Sequence, residues 1–587
     1  MLNFKLNNNA IDSFSTTPLA DYLKSLGIVD IDQFLKIPKH DSEICGAKLD
    51  HAVILVHKLK QLFEENKRFF LIVDCDTDGF TSSAIFYNYF KQVYPNAHIE
   101  WMLHEEKQHG IELDKIPSDA EVIIVPDAGS NQINELDYLN SIGKYVLVMD
   151  HHETSKDFKY GDFITVVNNQ TSDNFTNKAL SGAGVVFKIV QLFDAMFDLH
   201  FSSHYYDLAA LGIIADCMDS RTLDNNYIIW RGLSKINNKM FKALLDKQAF
   251  SVSNADKPNK IDVAFYIAPL INGTIRMGTM EDKELLFRGF IEQDHTEFYP
   301  HEWRGSTSME DFYHRSARIA YNVKNEQNRL KMKCLEFLRR KIENSGMQHN
   351  QIIIAITDET DEVQVPKTLT GLVAMELLRL YGKPALVLRP THDEAGHLNY
   401  AGSGRSYNFE ELPSFLQFVK EQDESVYAEG HACAFGASIK ADELNNFIDA
   451  CNEKMAHIDF SENATIVDAV FGTDKINSVL IYEFASGQNI YGNSIPQPQI
   501  AVQGIITSND VRIMGADASS VRITIKNIPF IKFKDVELAE ILRNGSLFEV
   551  SIIGKPALND YKGVVTPQVK ITDIDIKPLT IQKRGLF

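Results

Sequence analysis

The sequence predicts a multidomain α/β protein: a parallel-sheet domain, a long connecting helix, a second α/β domain and a small C-terminal β-barrel. Three observations carry this reading. Between residues 69 and 168 the runs FFLIVDCD, EVIIVPDAG, KYVLVMDHH and DFITVVNN are short and apolar, each ends in polar residues, and helix-like stretches separate several of them. Near-continuous Val/Ile runs suit strands buried on both faces, and their alternation with helices suits a parallel sheet. Residues 310–345 form one charged, periodic stretch without Gly or Pro, which reads as a helix. Beyond Phe460 the runs IAVQGIIT, VRITIKNI, FEVSIIG and QVKITDIDI alternate apolar and polar residues. Closely spaced strands of that kind suit a β-barrel.

In chain order, residues 1–66 are expected to form an N-terminal helical segment ending in the amphipathic stretch Ala47–Lys67. The parallel-sheet domain occupies 67–309, with Thr81–Val93, Asn131–Ser141 and Ala183–Asp219 helical, and the linker helix follows at 310–345. The second α/β domain, 346–459, opens on QIIIAIT and continues through LTGLVAMELLRLYG and PALVLRP. The barrel covers 460–579, and a tail ending in QKRGLF covers 580–587.

The chain has 587 residues, 79 acidic against 59 basic, and a net charge of −20. Residues from Phe460 onward carry 13 acidic and 13 basic side chains, so the first 459 hold the whole excess. Such a balance discourages non-specific coating of nucleic acid but allows binding along local basic paths, weakened by salt. The six cysteines, at 45, 75, 217, 334, 433 and 451, form no CxxC pair. That argues against a zinc ribbon or disulfide framework and fits a reducing compartment. No basic-then-apolar leader is visible, and no run approaches about 18 apolar residues. A cytoplasmic monomer without membrane contact is expected.

The chemistry is concentrated where the first-domain strands end. Asp74, Asp76 and Asp78 follow Phe69–Val73 at alternate positions, so an extended segment could gather their carboxylates on one side. Asp127 follows VIIVP, Asp150-His151-His152 follow VLVM, and Asp216 lies in LGIIADCMD. A lone strand-end Asp is ordinarily a turn or cap residue. Four such elements are not ordinary, because the carboxyl ends of parallel strands share one edge where ligands bind. Crowded carboxylates with an imidazole suit Mn²⁺ or Mg²⁺. Two ions about 4 Å apart could activate water and stabilise a leaving oxygen in phosphoester cleavage.

These residues resemble the four motifs of the DHH phosphoesterase superfamily: DCDTDG (74–79), Asp127, DHH (150–152) and GIIAD ending at Asp216. The resemblance is closer to the RecJ-like single-strand-specific 5′→3′ exonucleases. LSGAGVVFK (180–188), APLINGTIRMG (268–278), NEQNR (325–329), GSGRS (402–406) and EGHACAFG (429–436) are similar to segments of that family, the last two to its DHHA1 domain. The resemblance implies Asp76, Asp78, Asp127, His151 and Asp216 as ligands of two Mn²⁺ or Mg²⁺ ions, with Asp127 bridging. It implies that His152 contacts the scissile phosphate and Asp74 supports or adds to the ligand set. Where relatives often have His and Gly, this chain has Ile72 and Glu429.

Glycines let phosphate approach the backbone and Arg grips it bidentately, so Ser403, Arg405, Ser406, Gly430, His431 and Arg276 are candidate strand contacts. Phe409, Phe415 and Phe418, at near-helical spacing, read as core. Arg512, Arg522, Lys526, Lys532 and Lys534 could line an OB-like barrel face that binds single strands. The expected activity is 5′→3′ hydrolysis of single-stranded DNA to nucleoside 5′-monophosphates in repair, recombination or replication. A helicase, a single-strand-binding protein, or a sliding clamp docked by the tail are conceivable partners. Two rivals stand beside it: a phosphodiesterase for oligonucleotides or cyclic dinucleotides, and an inactive DHH scaffold of a replication assembly.

Overall fold

A computed structural model describes residues 2–579 apart from 3, 8, 13–14, 37–42, 106–107, 155–160, 292–294, 304, 394, 461–464, 516 and 562. The proposed tail motif lies outside the described residues. The chain divides into two compact units, Met1–Ala320 with Ala464–Phe587, and Tyr321–Asn463.

In the first unit, strands Phe69–Val73, Ile99–Leu103, Val122–Pro126, Tyr145–Asp150 and Ile164–Asn168 form an all-parallel sheet. Counted along the chain they lie in the order 2-1-3-4-5, so the winding direction reverses between the first and third strands. The strands Phe69–Val73, Val122–Pro126 and Ile164–Asn168 are buried at every position, which their Val/Ile-rich sequences permit. Phe70, Ile72, Ile123, Val125, Val146 and Val148 pack together on one face. On the other, helix Thr77–Val93 is enclosed from Thr77 to Phe90, and Phe63 stacks on Phe69 and Phe90 at 4.0 and 4.7 Å.

Asp216, grouped by its motif with the strand-end residues, is instead the C-cap of helix Tyr206–Ala215, within the stretch 183–219 expected to be helical. That helix is buried around its whole circumference. An antiparallel hairpin, Phe298–Trp303 with Ser306–Asp311, also precedes helix Phe312–Ser345, in a stretch where the sequence shows no clear strand signal.

The C-terminal region builds a seven-stranded sheet with two helices, Ser478–Ser486 and Val536–Arg543. Its outer strands, Ala469–Gly472 and Val511–Met514, are not paired to each other among the described residues, so the OB-like sheet is open. Arg512 and Arg522 are direct cross-strand partners and therefore share a face. The first residues of the chain belong to this core: Phe4–Leu6 pairs in parallel with Thr465–Val467, and Tyr22 donates from its hydroxyl to the Pro496 carbonyl at 2.7 Å. Tyr22, Leu23 and Phe34 are buried there beside Phe484, Tyr491 and Phe548.

Lys260 sits where the parallel-sheet region meets the loop at Gly492–Ser494. Its buried ammonium donates to Ser220 Oγ at 3.1 Å, and Ser220 N donates to Ser494 Oγ at 2.8 Å. Burial pulls the Lys260 amine down to about 7, against the attraction of Asp219. The folded chain therefore binds fewer protons than the unfolded chain between pH 7 and 10.5, and stability falls as pH drops through that window. Lys260→Met is expected to remove this dependence and to gain on the order of 1–4 kcal/mol at pH 6 in denaturant melts. A variant less stable than its parent at pH 6 would contradict the assignment.

The second unit carries a mixed sheet in which Ile353–Ile356 and Ala385–His392 run parallel, while Leu398–Arg405, Ala434–Lys440 and Ser425–His431 add on antiparallel. Phe415 is fully buried in its core, with Phe409 and Phe418 packed against it, as expected of core aromatics. Helix Phe312–Ser345 carries the chain from one unit into the other.

Candidate active site

Strand ends and helix starts deliver the expected side chains to one edge of the parallel sheet, beside the switch between its first and third strands. Asp76 caps helix Thr77–Val93 by accepting from Gly79 N at 3.0 Å, which commits the chain to a helix immediately after the strand. Asp78, in the first turn, accepts from Gly182 N at 2.6 Å and Ala183 N at 3.0 Å, the free amides at the start of helix Gly182–Phe197. Asp127 follows the third strand with φ +62°, a left-handed backbone that Asp tolerates better than most residues.

The imidazole of His151 is the focus. Its Nε2 lies 3.2 Å from Asp127 Oδ1, 3.5 Å from Asp216 Oδ2 and 4.0 Å from Asp78 Oδ2. Despite the 3.2 Å approach, Asp127 Oδ1 is buried without a hydrogen bond of acceptable geometry among the described residues. The two atoms flank a common space instead of pointing at each other, as donors around a cation do. Oxygens of Asp74, Asp76 and Asp127 form a second group within 4.8 Å of one another. Asp127 thus borders both groups.

The electrostatics agree. Burial, then Asp78, Asp76, Asp74 and Asp216, push the Asp127 carboxyl well above its ordinary range. Burial, then Asp78 and Asp76, raise Asp216 to about 8, and burial with Asp74 and Asp78 raises Asp76. Burial pulls His151 down, keeping its imidazole neutral. The donors are oxygens and a neutral nitrogen whose ionisation is opposed by burial and mutual repulsion, both of which a divalent cation offsets.

His152 behaves oppositely. Its Nδ1 donates to Asp150 Oδ1 at 2.8 Å, and that bond, against burial, raises the imidazole to about 9. Burial pushes Asp150 upward, but the hydrogen bonds and charge of His152, with the His151 backbone amide, hold it well below the usual carboxylate range. Ser130 N also donates to Asp150 Oδ2 at 3.1 Å. Adjacent histidines are therefore one neutral and buried, the other cationic and half exposed at its side chain.

Close packing around the carboxylates depends on two glycines. A Cβ at Gly182 would lie 2.5 Å from Asp127 Cβ, and one at Gly212 would collide with Asp78 Oδ1 and lie 2.5 Å from Ala183 Cβ.

His109 carried no motif signal, and Asn272 lies in the singled-out segment APLINGTIRMG without having been among the expected contacts. His109 Nδ1 meets Asp74 Oδ2 at 2.8 Å, and Gly110 N donates to Asp74 Oδ1 at 3.1 Å, so the loop after the edge strand holds that carboxylate. Asn272 Oδ1 accepts from Thr77 N and Oγ1 at 3.1 and 3.0 Å, tying helix Ala268–Met277 to the start of the motif helix. Arg276, one turn further, keeps its Nε buried without a hydrogen-bond partner among the described residues.

The remaining expected contacts lie in the second unit, Ser403, Arg405, Gly430 and His431 on strands and Ser406 just after one. Ser403 pairs with Gly436 and Arg405 with Ala434, while Gly430 and His431 face Phe435 and Ala434 from the neighbouring strand. Ser403 Oγ is 2.8 Å from Thr370 Oγ1 at the start of helix Thr370–Tyr381, and Arg405 Nη1 donates to the Gly404 carbonyl at 2.6 Å. Ser406 N donates to the Cys433 carbonyl at 3.0 Å, joining the two glycine-bearing segments.

A five-stranded parallel sheet with clustered Asp residues and a neighbouring His pair at its switch point defines a DHH-type phosphoesterase domain. Family profiles agree: the DHH family, N-terminal domain, matches residues 68–213, and the RecJ OB domain matches 467–573. Over 580 residues the chain is 31% identical to YorK of Bacillus phage SPbeta, named for a single-strand DNA-specific exonuclease, covering 98% of this chain and 99% of that one. It belongs to the RecJ-like family of single-strand-DNA-specific exonucleases. RecJ of Bacillus subtilis strain 168 is 25% identical over 541 residues, 88% of this chain and 62% of that protein. The fold of Thermus thermophilus RecJ, solved with Mn²⁺, is similar at a TM-score of 0.71 and 19% identity, covering 96% of this chain and 77% of that one.

Proposed function

We propose that this chain is a Mn²⁺- or Mg²⁺-dependent nuclease that removes nucleoside 5′-monophosphates from the 5′ end of single-stranded DNA. The observation that carries this reading is the convergence of Asp78, Asp127, His151 and Asp216 on one space beside a second group, Asp74, Asp76 and Asp127. In this reading Asp78, Asp127, His151 and Asp216 hold one ion, Asp74, Asp76 and Asp127 the other, and Asp127 bridges. Bound there, divalent cations supply charge neutralisation of the phosphodiester and activation of water. The start of helix Gly182–Phe197 keeps Asp78 oriented through two backbone amides. His152, kept protonated by Asp150, donates to a non-bridging phosphate oxygen. Arg276 offers a buried guanidinium nitrogen with hydrogen-bonding capacity to spare.

In the second unit, Arg405 lies beside the amides that open helix Thr370–Tyr381, where a Cβ on Gly371 would sit 2.5 Å from its Nη2. A guanidinium with a helix N-terminus favours an anion, which supports Ser403, Arg405, Ser406, Gly430 and His431 as contacts for strand phosphates. Arg512 and Arg522, adjacent on one face of the OB-like sheet, fit a further stretch of the strand. Full-length similarity to proteins named for single-strand-specific exonucleases supports the polymeric substrate.

The test is degradation of single strands labelled at either end, with Mn²⁺, with Mg²⁺ and with chelator. Early release of label as mononucleotide from the 5′ end alone, dependent on metal and absent for duplex, is the expected outcome. Early release from the 3′ end alone would reverse the polarity. Cleavage of dinucleotides without cleavage of long strands would replace the substrate.

A further inference from the structure

Beside the hard-oxygen cluster lies a group of different chemistry. The loop after the edge strand brings the imidazole of His109 against Cys75, whose Sγ is 3.6 Å from Nδ1 and 3.7 Å from Nε2. The same Nδ1 is 2.8 Å from Asp74 Oδ2. Thiol, imidazole and carboxylate therefore converge within 4.8 Å of one another. Cys75 and Asp74 are buried, whereas the His109 side chain is half exposed, so the group opens to solvent on one side.

We propose that Asp74, Cys75 and His109 form a Zn²⁺ site distinct from the Mn²⁺/Mg²⁺ cluster, and that Zn²⁺ bound there inhibits the enzyme. Zn–S and Zn–N bonds of about 2.3 and 2.0–2.1 Å at a tetrahedral angle place sulfur and nitrogen about 3.6 Å apart. Cys75 Sγ stands at that spacing from Nδ1 but lies beside the ring, nearly equidistant from both nitrogens, so the half-exposed His109 ring must turn for one Zn²⁺ to meet sulfur and nitrogen together. The carboxylate would withdraw by about half an ångström as Zn²⁺ replaces the proton between Asp74 and His109, and the Cys75 thiol proton is released as well. Solvent takes the fourth position. A thiolate selects Zn²⁺ over Mn²⁺ or Mg²⁺, so the hard ions of the neighbouring cluster do not compete for it effectively. Asp74 also belongs to the group with Asp76 and Asp127, so Zn²⁺ adds positive charge at its border and withdraws one of its carboxylates. This inhibitory consequence rests on the proposed nuclease function; the binding does not.

The test uses the full chain, stripped of metal and titrated with Co²⁺ in the presence of excess Mg²⁺. The expected result is a near-ultraviolet thiolate-to-cobalt charge-transfer band saturating at one equivalent and erased by Zn²⁺. The band is lost in Cys75→Ser and kept in Cys217→Ser, which removes the exposed thiol beside Asp216. No band in the parent, or a band that disappears with Cys217 and not with Cys75, overturns the proposal without reference to any variant's folding or activity. In assays with Mn²⁺ in excess, Zn²⁺ inhibition should be weaker in Cys75→Ser by on the order of tenfold or more. Equal inhibition of parent and variant overturns the inhibitory role. A parent without nuclease activity would refute the proposed function and leave the cobalt band to decide the site.

Discussion

Asp127→Asn is expected to abolish metal-dependent cleavage, lowering kcat on the order of 10³-fold or more, while the fold persists. Asn is the informative replacement because it tolerates the left-handed backbone at φ +62° and nearly preserves volume. It removes the charge that the two carboxylate groups share and places an amide where the buried Oδ1 has no hydrogen bond. In metal-free buffer the variant should melt no lower than its parent. The parent's Asp127 is held above its ordinary range by burial and four neighbouring carboxylates, so folding loses stability as pH rises past the unfolded value. That loss is absent from the variant. The stabilisation by Mn²⁺ should diverge most: at 100 times its Kd, a ligand adds about 2.7 kcal/mol to the parent, and the variant should gain little of it. An Asp127→Asn chain that cleaves like its parent, or is equally stabilised by Mn²⁺, would refute the assigned centre.

Gly182→Ala should be nearly as damaging by another route. A helix N-terminus ordinarily accepts Ala without penalty, so the substitution is innocuous by propensity. Here the new methyl would lie 2.5 Å from Asp127 Cβ and still closer to its Oδ1, so either the carboxylate or the helix start must move. Moving the helix start also shifts the Gly182 and Ala183 amides off Asp78. A displacement near 1 Å in such a site costs on the order of 10²-fold in rate. The expected phenotype is a cooperative melt within a few degrees of the parent's, with kcat reduced by about that factor and weaker Mn²⁺ dependence. Unchanged kinetics would show that Asp127 has room the structure does not provide.

Much of the catalytic region was legible because its signals are local. Buried parallel strands require uninterrupted apolar runs, and Asp74, Asp76, Asp78, Asp127 and the Asp150–His152 motif each follow such a run directly. Asp216 was legible within a helical stretch but not as the C-cap that meets the strand-end carboxylates, because that meeting depends on how helix Tyr206–Ala215 packs. GSGRS was legible as a set of candidate contacts but not as a strand, which its residues 402–405 extend and where small side chains allow Phe435 to pack against Gly404.

The sequence by itself therefore determined the chemistry: which carboxylates and imidazoles exist, and that strand ends would deliver most of them to one edge. Only the tertiary structure decided their division of labour. His151 is neutral because it is buried, whereas His152 is cationic because Asp150 grips it. His109 joins the site from a loop whose own sequence announces nothing, Asn272 from a segment singled out for Arg276 instead, and the first residues of the chain pack with a sheet that begins more than four hundred residues later. The physical reason is common to all three. Charge state and partnership depend on burial and on contacts between distant segments, and no local pattern encodes those.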